Sequence, residues 1–210
     1  MKALAIRTSI AALGCGGLLA VAGDAAGAGE SSCLPIFPGA TARPALARAV
    51  EAYYRSGLEP GRELTAAVYE TAASFERVYE FYGPQMDEGT WGWRRQAQPL
   101  EAHAAALRFM RARARASNGG RVPPVLRPLF GDPALDDEAF AARLERLVRR
   151  HRQAKVDIVE GTRTIRDGPM PAQVRLTVER PYLDVERMRL VERTRLVVVR
   201  VADRRPGGRP

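Results

Sequence analysis

The chain has 210 residues, 46% of them apolar and 27% charged, with a formal charge of +9. That apolar content is ordinary for a globular protein and too high for a disordered one, and the length suits one domain with appendages. Two cysteines and two histidines exclude a disulfide-dense scaffold and a multi-Cys or His-rich metal centre, so neither a metal nor a cofactor is expected. All but Lys2 and Lys155 of the 33 basic residues are arginine. With plentiful Ala, Gly and Pro, this is what a GC-rich genome produces. It competes with selection for an anionic partner as the origin of the basic balance.

The chain begins as an export signal. Lys2 and Arg7 form a cationic start, and 8–23 carries no charge around Ile10, Leu13, Leu18, Leu19 and Val21. This run is shorter than the ~20 residues a membrane span needs and suits a secretory core. Ala26-Gly27-Ala28 supplies the small residues of a cleavage site after Ala28, with Ala22 as the second choice. Cys15, after Gly14, offers lipidation as a minority alternative. Against it, Ala12 stands where such a signal prefers Leu, and the apolar run continues past the cysteine. Cleavage would leave Cys33 as a lone thiol with nothing nearby to activate it. The expected protein is exported, periplasmic or secreted, with no membrane span after residues 1–28 are removed.

Residues 29–62 are expected to be an extended Pro-rich lead and an N-terminal helix. Pro35 and Pro38 forbid helix in the lead. From Pro44 to Ser56, Leu46, Val50, Tyr53 and Tyr54 form one helical face, with Pro at the first helical position and Gly57 beyond the end. An α+β domain is expected over 63–202. Leu64–Thr71 alternates as a strand. Ser74 caps a helix whose stripe is Phe75, Val78, Tyr79 and Tyr82, and Gly83-Pro84 stops it. Pro99–Ala116 is a third helix with a weak stripe of Leu100, Ala104, Leu107 and Ala114. Val122–Asp132 reads as a Pro-rich loop. A fourth helix follows Asp136, Asp137 and Glu138, with Phe140, Leu144, Leu147, Val148 and His151 on its stripe.

The remainder is β. Val156–Ile165 is a strand with a bulge expected at Gly161, and Asp167-Gly168 begins a turn. Ala172–Arg180 alternates, with Val174, Leu176 and Val178 inward and Gln173, Arg175, Thr177 and Glu179 outward. Leu183–Val191 is a connection of open type. Thr194–Ala202 contains Leu196-Val197-Val198-Val199, the signature of a strand covered on both faces. Residues 203–210 are a disordered basic tail. The expected fold is an α+β layer: an antiparallel sheet of about four strands with helices packed on one face.

Phe37-Pro38-Gly39-Ala40, the stretch Tyr69-Glu70-Thr71-Ala72-Ala73-Ser74-Phe75 continuing to Phe81-Tyr82, and Gly92-Trp93 resemble a group of secreted bacterial proteins of unknown function. These share a Tyr-Pro-Gly-Ala lead and a strand–Thr-x-x-Ser–helix–Phe-Tyr pattern ending in Gly-Trp. Two departures stand out: Ala73 replaces the usual acid before the Ser, and Gly83-Pro84 breaks a helix that normally continues. The resemblance implies an exported α+β domain and no known activity.

The sequence contains no Gly-rich phosphate loop after a strand, no His-Glu-x-x-His, no Gly-x-Ser-x-Gly and no Asp-rich calcium loop. His151 falls on the apolar stripe of the fourth helix and His103 sits among alanines on the third, and for both a packed imidazole is the simpler reading. Charge is segregated instead. Between Glu101 and Asp132 there is no acid but six arginines, and Arg108, Arg111 and Arg115 share a helical face. They are the candidate site for an anionic envelope component, with another envelope protein also open as partner. The competing readings are a solvated arginine face and internal docking on acidic residues. Nucleic acid is not expected, since no basic–aromatic interleaving occurs. Trp91, Trp93 and Tyr82 are a candidate aromatic platform, against which stands a role at the core edge. The leading expectation is a non-enzymatic binding or structural module of the cell envelope. The alternative is an envelope hydrolase or transferase using Trp91/Trp93 and the Asp132–Glu138 acids.

Overall fold

The computed structural model describes residues 34–86, 93–167 and 170–203. The expected export signal, Cys15, Cys33, Trp91, Gly168 and the tail beyond Asp203 lie outside them. The first half contains β1 (Thr41–Ala42), α1 (Pro44–Arg55), β2 (Arg62–Thr71), α2 (Phe75–Tyr82), β3 (Gln96–Pro99) and α3 (Leu100–Ala116). The second half contains α4 (Arg127–Phe130), α5 (Asp137–Arg150), β4 (Lys155–Asp167), β5 (Met170–Arg180), β6 (Tyr182–Asp184), β7 (Arg189–Val191) and β8 (Thr194–Asp203). No helix among the described residues is long and apolar enough to cross a membrane.

Local chemistry sets the helix ends. Pro44 starts α1. The Ser74 hydroxyl accepts from the Arg77 N–H at 3.3 Å, and the Asp136 carboxylate accepts from the Ala139 N–H at 2.7 Å. Each satisfies a donor that the first turn of a helix leaves unpaired. Gly83–Gln85 forms a 3-10 turn that ends α2.

The fold is α+β with an antiparallel main sheet in the order β1-β2-β8-β5-β4-β3, and β6 and β7 make a separate hairpin. The main sheet has six strands, not about four, because the short segments β1 and β3 flank β2 and β4. Nor do the helices lie on one face. Alternation puts Val174, Leu176, Val178, Leu196 and Val198 on one face, against Phe75, Val78 and Tyr82 of α2. Leu64, Val68, Val197 and Val199 point the other way, against Val50 of α1. The second face also carries Val156, which packs with Leu100 and Ala104 of α3, Leu144 and Leu147 of α5, and Leu183 and Val185 around the hairpin. Thr177 and Glu179, expected to face solvent, are therefore buried on this second face.

The expected bulge at Gly161 is absent. The β4–β5 register runs unbroken from Asp157↔Arg180 to Asp167↔Met170, with Gly161 opposite Leu176. A Cβ on Gly161 would lie 2.6 Å from the Trp93 ring and 2.9 Å from the Met86 sulfur. Glycine is there to let the indole lie against the sheet.

Because Leu176 is wholly buried between β4 and β8, Leu176→Ala should cost about 2–5 kcal/mol in urea unfolding. The Thr177 hydroxyl is buried without a hydrogen-bond partner. Thr177→Val keeps the shape and removes that unpaired group, so it should leave stability unchanged or raise it.

Candidate functional site

The structure takes Arg111 inward. Its side chain is fully buried, and the guanidinium donates to the carbonyls of Phe130, Asp132 and Leu135 and to the Asp137 carboxylate. It also lies 4.5 Å above the Phe140 ring. Arg115 reaches Asp137 at 2.9 Å and the Gly120 carbonyl, and Arg108 reaches Glu145 at 3.3 Å. The three arginines thus meet α5 and the loop before it rather than forming one outward stripe. A signal was present: Leu100, Ala104, Leu107, Arg111 and Ala114 recur at helical spacing, which puts Arg111 on the apolar stripe.

Of the expected platform, Tyr82 belongs to the core and Trp93 packs against it. Tyr82 is buried, with its hydroxyl donating to the Pro35 carbonyl and accepting from the Phe37 N–H. Trp93 stacks on Tyr79 at 5.5 Å and donates its indole N–H to the Tyr79 carbonyl. Trp91, the third member of the expected platform, lies outside the described residues. Trp93 packs on the α2 face of the sheet, whereas Asp136 and Asp137 begin α5 on the opposite face. The acids and the indole therefore do not converge, and Asp132 and Asp136 are occupied in capping backbone N–H groups.

Two polar features occupy the α1/α3 face, and neither is marked by a sequence motif. The first is a cross-strand row, Glu70–Arg195–Glu179, on neighbouring strands β2, β8 and β5. Both glutamates are only 5% exposed. Arg195 donates to Glu179 at 2.6 Å and lies 4.3 Å over the Tyr182 ring, and Arg43 reaches Glu70 at 3.2 Å. From α3, the His103 Nε2 stands 3.6 Å from Glu179. Negative, positive, negative along the row is the order that lets buried charges compensate one another. Burial lowers the His103 pKa, an effect that Arg195 reinforces and Glu179 opposes.

The second feature is a cleft of about 610 Å³. Ile158, Glu160 and Arg175 of the sheet form its floor. The C-terminal half of α1 from Ala52 and the end of α3 from Arg113 wall it, Gln96 and Gln98 of β3 close one side, and Pro123, Val125 and Leu126 another. Both helices pack on this face of the sheet, and the cleft is the gap between their C-terminal ends. Glu160 and Arg175 are diagonal neighbours across the β4–β5 pair and form an ion pair at 3.1 Å. Burial raises the Glu160 carboxyl pKa, and Arg175 pulls it back. The Tyr54 hydroxyl is buried in the wall without a hydrogen-bond partner. Burial pushes the Tyr54 pKa up, so the group stays protonated and able to donate. Tyr53 meets Tyr54 edge-on at 5.1 Å and Phe130 at 5.3 Å, which fixes both rings. Perturbed titratable groups gathered in a concave site are a physical sign of function.

Arg111→Gln should cost about 3–5 kcal/mol, because it removes a buried charge and strands the carbonyls it serves. Arg108→Gln, at an exposed pair, should cost under about 1 kcal/mol in the same unfolding experiment. For His103 the folded pKa lies below the unfolded value of about 6.5, so its contribution is complete above that pH and is lost as pH falls toward the folded pKa. Chemical unfolding between about pH 8 and pH 5 should therefore show falling stability, with a shallower fall in His103→Gln.

No known protein family, curated protein or solved structure matches the chain, so its site is defined by its own geometry.

Proposed function

We propose that this chain is an exported, non-enzymatic binding module of the cell envelope, with its ligand site in the cleft between α1, α3 and the sheet. The observation that carries the reading is the cleft itself. Its volume falls within the roughly 300–1,000 Å³ of small-molecule sites, and it combines apolar walls with a few convergent polar groups. Binding is favoured over catalysis by what lines it. The described residues around the cleft include neither His nor Cys, and the one carboxylate among them, Glu160, is held by Arg175. A nucleophile with an adjacent base is not assembled there. Export rests on the Lys2/Arg7 to Ala28 pattern and supplies the setting, an envelope component small enough to enter the cleft.

Mass spectrometry of the protein recovered from its native host should find an N-terminus at Gly29; an intact Met1 or a lipid on Cys15 would refute export by this route. Native mass spectrometry of the same material should show a co-purifying small molecule. Ser117 is exposed at the end of α3 on the cleft wall, so Ser117→Trp should block the cleft and abolish that added mass while leaving the fold intact.

A further inference from the structure

We infer that the cleft takes an amphipathic organic anion, a carboxylate or phosphate head carried on an apolar body. This deepens the reading of the cleft as the ligand site and rests on it. Among the described residues three cations line the space, Arg94, Arg113 and Arg175, against the single acid Glu160. Arg175 is engaged with Glu160 at 3.1 Å. Arg94 and Arg113 are exposed, and neither has a carboxylate at ion-pair distance among the described residues. Arg113 lines the same cleft as Tyr53 and Tyr54. The Tyr54 hydroxyl supplies a buried donor with no acceptor among the described residues. Guanidinium groups without an ion pair among the described residues, in one cleft with an unused donor, suit an anionic head, and guanidinium matches carboxylate and phosphate oxygens with two parallel hydrogen bonds.

One feature opposes an anion. The cleft lies between the C-terminal ends of α1 and α3, where backbone carbonyls carry partial negative charge. Those carbonyls are already engaged. The Ser56 hydroxyl donates to Tyr53 and the Gly57 N–H to Tyr54; the Ser117 N–H donates to Arg113, the Asn118 side chain to Ala114, and the Asn118 and Gly120 N–H groups to Arg115. Each helix end contributes about half a charge at most, which the unpaired arginines exceed. Cations are repelled by Arg94 and Arg113, and neutral molecules gain less from them than anions do. The apolar part of the ligand has its own surface in Ala52, Ala114, Val125, Leu126 and Ile158, and Val125 is 46% exposed.

Isothermal titration of the purified protein with probes that share one tail separates the possibilities: octanoate, octyl phosphate, octanol and octylammonium. Octanoate and octyl phosphate should bind at least about tenfold more tightly than octanol, the worth of a hydrogen bond to a charged group, and octylammonium more weakly still. Which anion binds better identifies the head group. The double variant Arg94→Gln, Arg113→Gln should weaken the two anions by about tenfold or more and leave octanol unchanged. Tyr54→Phe should also weaken the anions without lowering the melting temperature of the free protein, a combination that a purely structural hydroxyl would not give. Octanol or octylammonium binding as tightly as octanoate, and blocked by Ser117→Trp, would overturn the anion inference and leave the cleft as a binding site. Anion binding that survives Ser117→Trp, or no binding of any probe, would overturn it as well and remove the support of the cleft reading.

Discussion

The buried guanidinium of Arg111 fixes where α3 stands. A cation removed from water carries a desolvation cost of several kcal/mol, so it persists only where its donors and charge are matched. Here the match comes from the carbonyls of Phe130, Asp132 and Leu135, the Asp137 carboxylate and the Phe140 ring. All of these lie in one stretch, the end of α4, the loop after it and the start of α5. Gly131 at φ +72° turns that stretch so that its carbonyls converge, and a Cβ there would meet the Val185 carbonyl at 3.0 Å. Arg111 therefore binds α3 to α5 along a polar line as well as an apolar one. The far end of α3, from Arg113 onward, is carried out over the sheet as a cleft wall.

The second wall has a different origin. Helix α1 sits where it does because Val50 meets Val68, Val197 and Val199, an apolar contact over β2 and β8. Helix α3 is held over the β4–β5 side by His103 on Glu179 and by Leu100 and Ala104 beside Val156. The sheet beneath changes character between them. It is valine under α1, charged along the Glu70–Arg195–Glu179 row, and mixed at Ile158, Glu160 and Arg175. The cleft lies over that mixed patch, the part of this face that neither helix covers. On the other face α2 and Trp93 pack on an apolar cluster, and the match there is close enough that Gly161 has no room for a side chain.

How much of this was legible follows from what periodicity encodes. The main helices and long strands are readable because their apolar spacing and caps are local; Ser74 and Asp136 cap as their positions imply. Segments β3 and α4 escape because Gln96–Pro99 has no alternation and Arg127–Phe130 is one turn behind prolines. The side occupied by the helices escapes for a subtler reason. Gln173, Arg175, Thr177 and Glu179 are polar, and a polar row reads as solvent-facing until its partners are known. Glu179 is buried because Arg195 and His103 come to it from β8 and α3, elements distant in the chain. The site is less legible than the fold. Tyr53 and Tyr54 read correctly as part of the inner face of α1. That the Tyr54 hydroxyl meets no partner, and that Glu160 and Arg175 lie diagonally beside it, depends on the register of the β4–β5 pair and the spread of two helices.

The cleft is also the place where the structure departs furthest from what stability alone would favour. A larger apolar side chain at Ala52, and phenylalanine in place of Tyr54, would fill space and remove an unpaired hydroxyl worth about 1–3 kcal/mol. Elsewhere the larger buried polar side chains Arg111, Tyr82 and Glu179 are each met by a partner, and the other groups left alone among the described residues include the small hydroxyls of Thr65 and Thr177. In the cleft a donor without a partner and two exposed arginines without ion pairs among the described residues occur together with an unfilled volume, on walls whose positions are fixed by the core on either side. Departures from local consistency that cluster in one concavity are the mark of a site kept open for something outside the chain. The rigid walls then serve the ligand: the arginines and the tyrosine are held in place before it arrives, so little ordering is needed on binding.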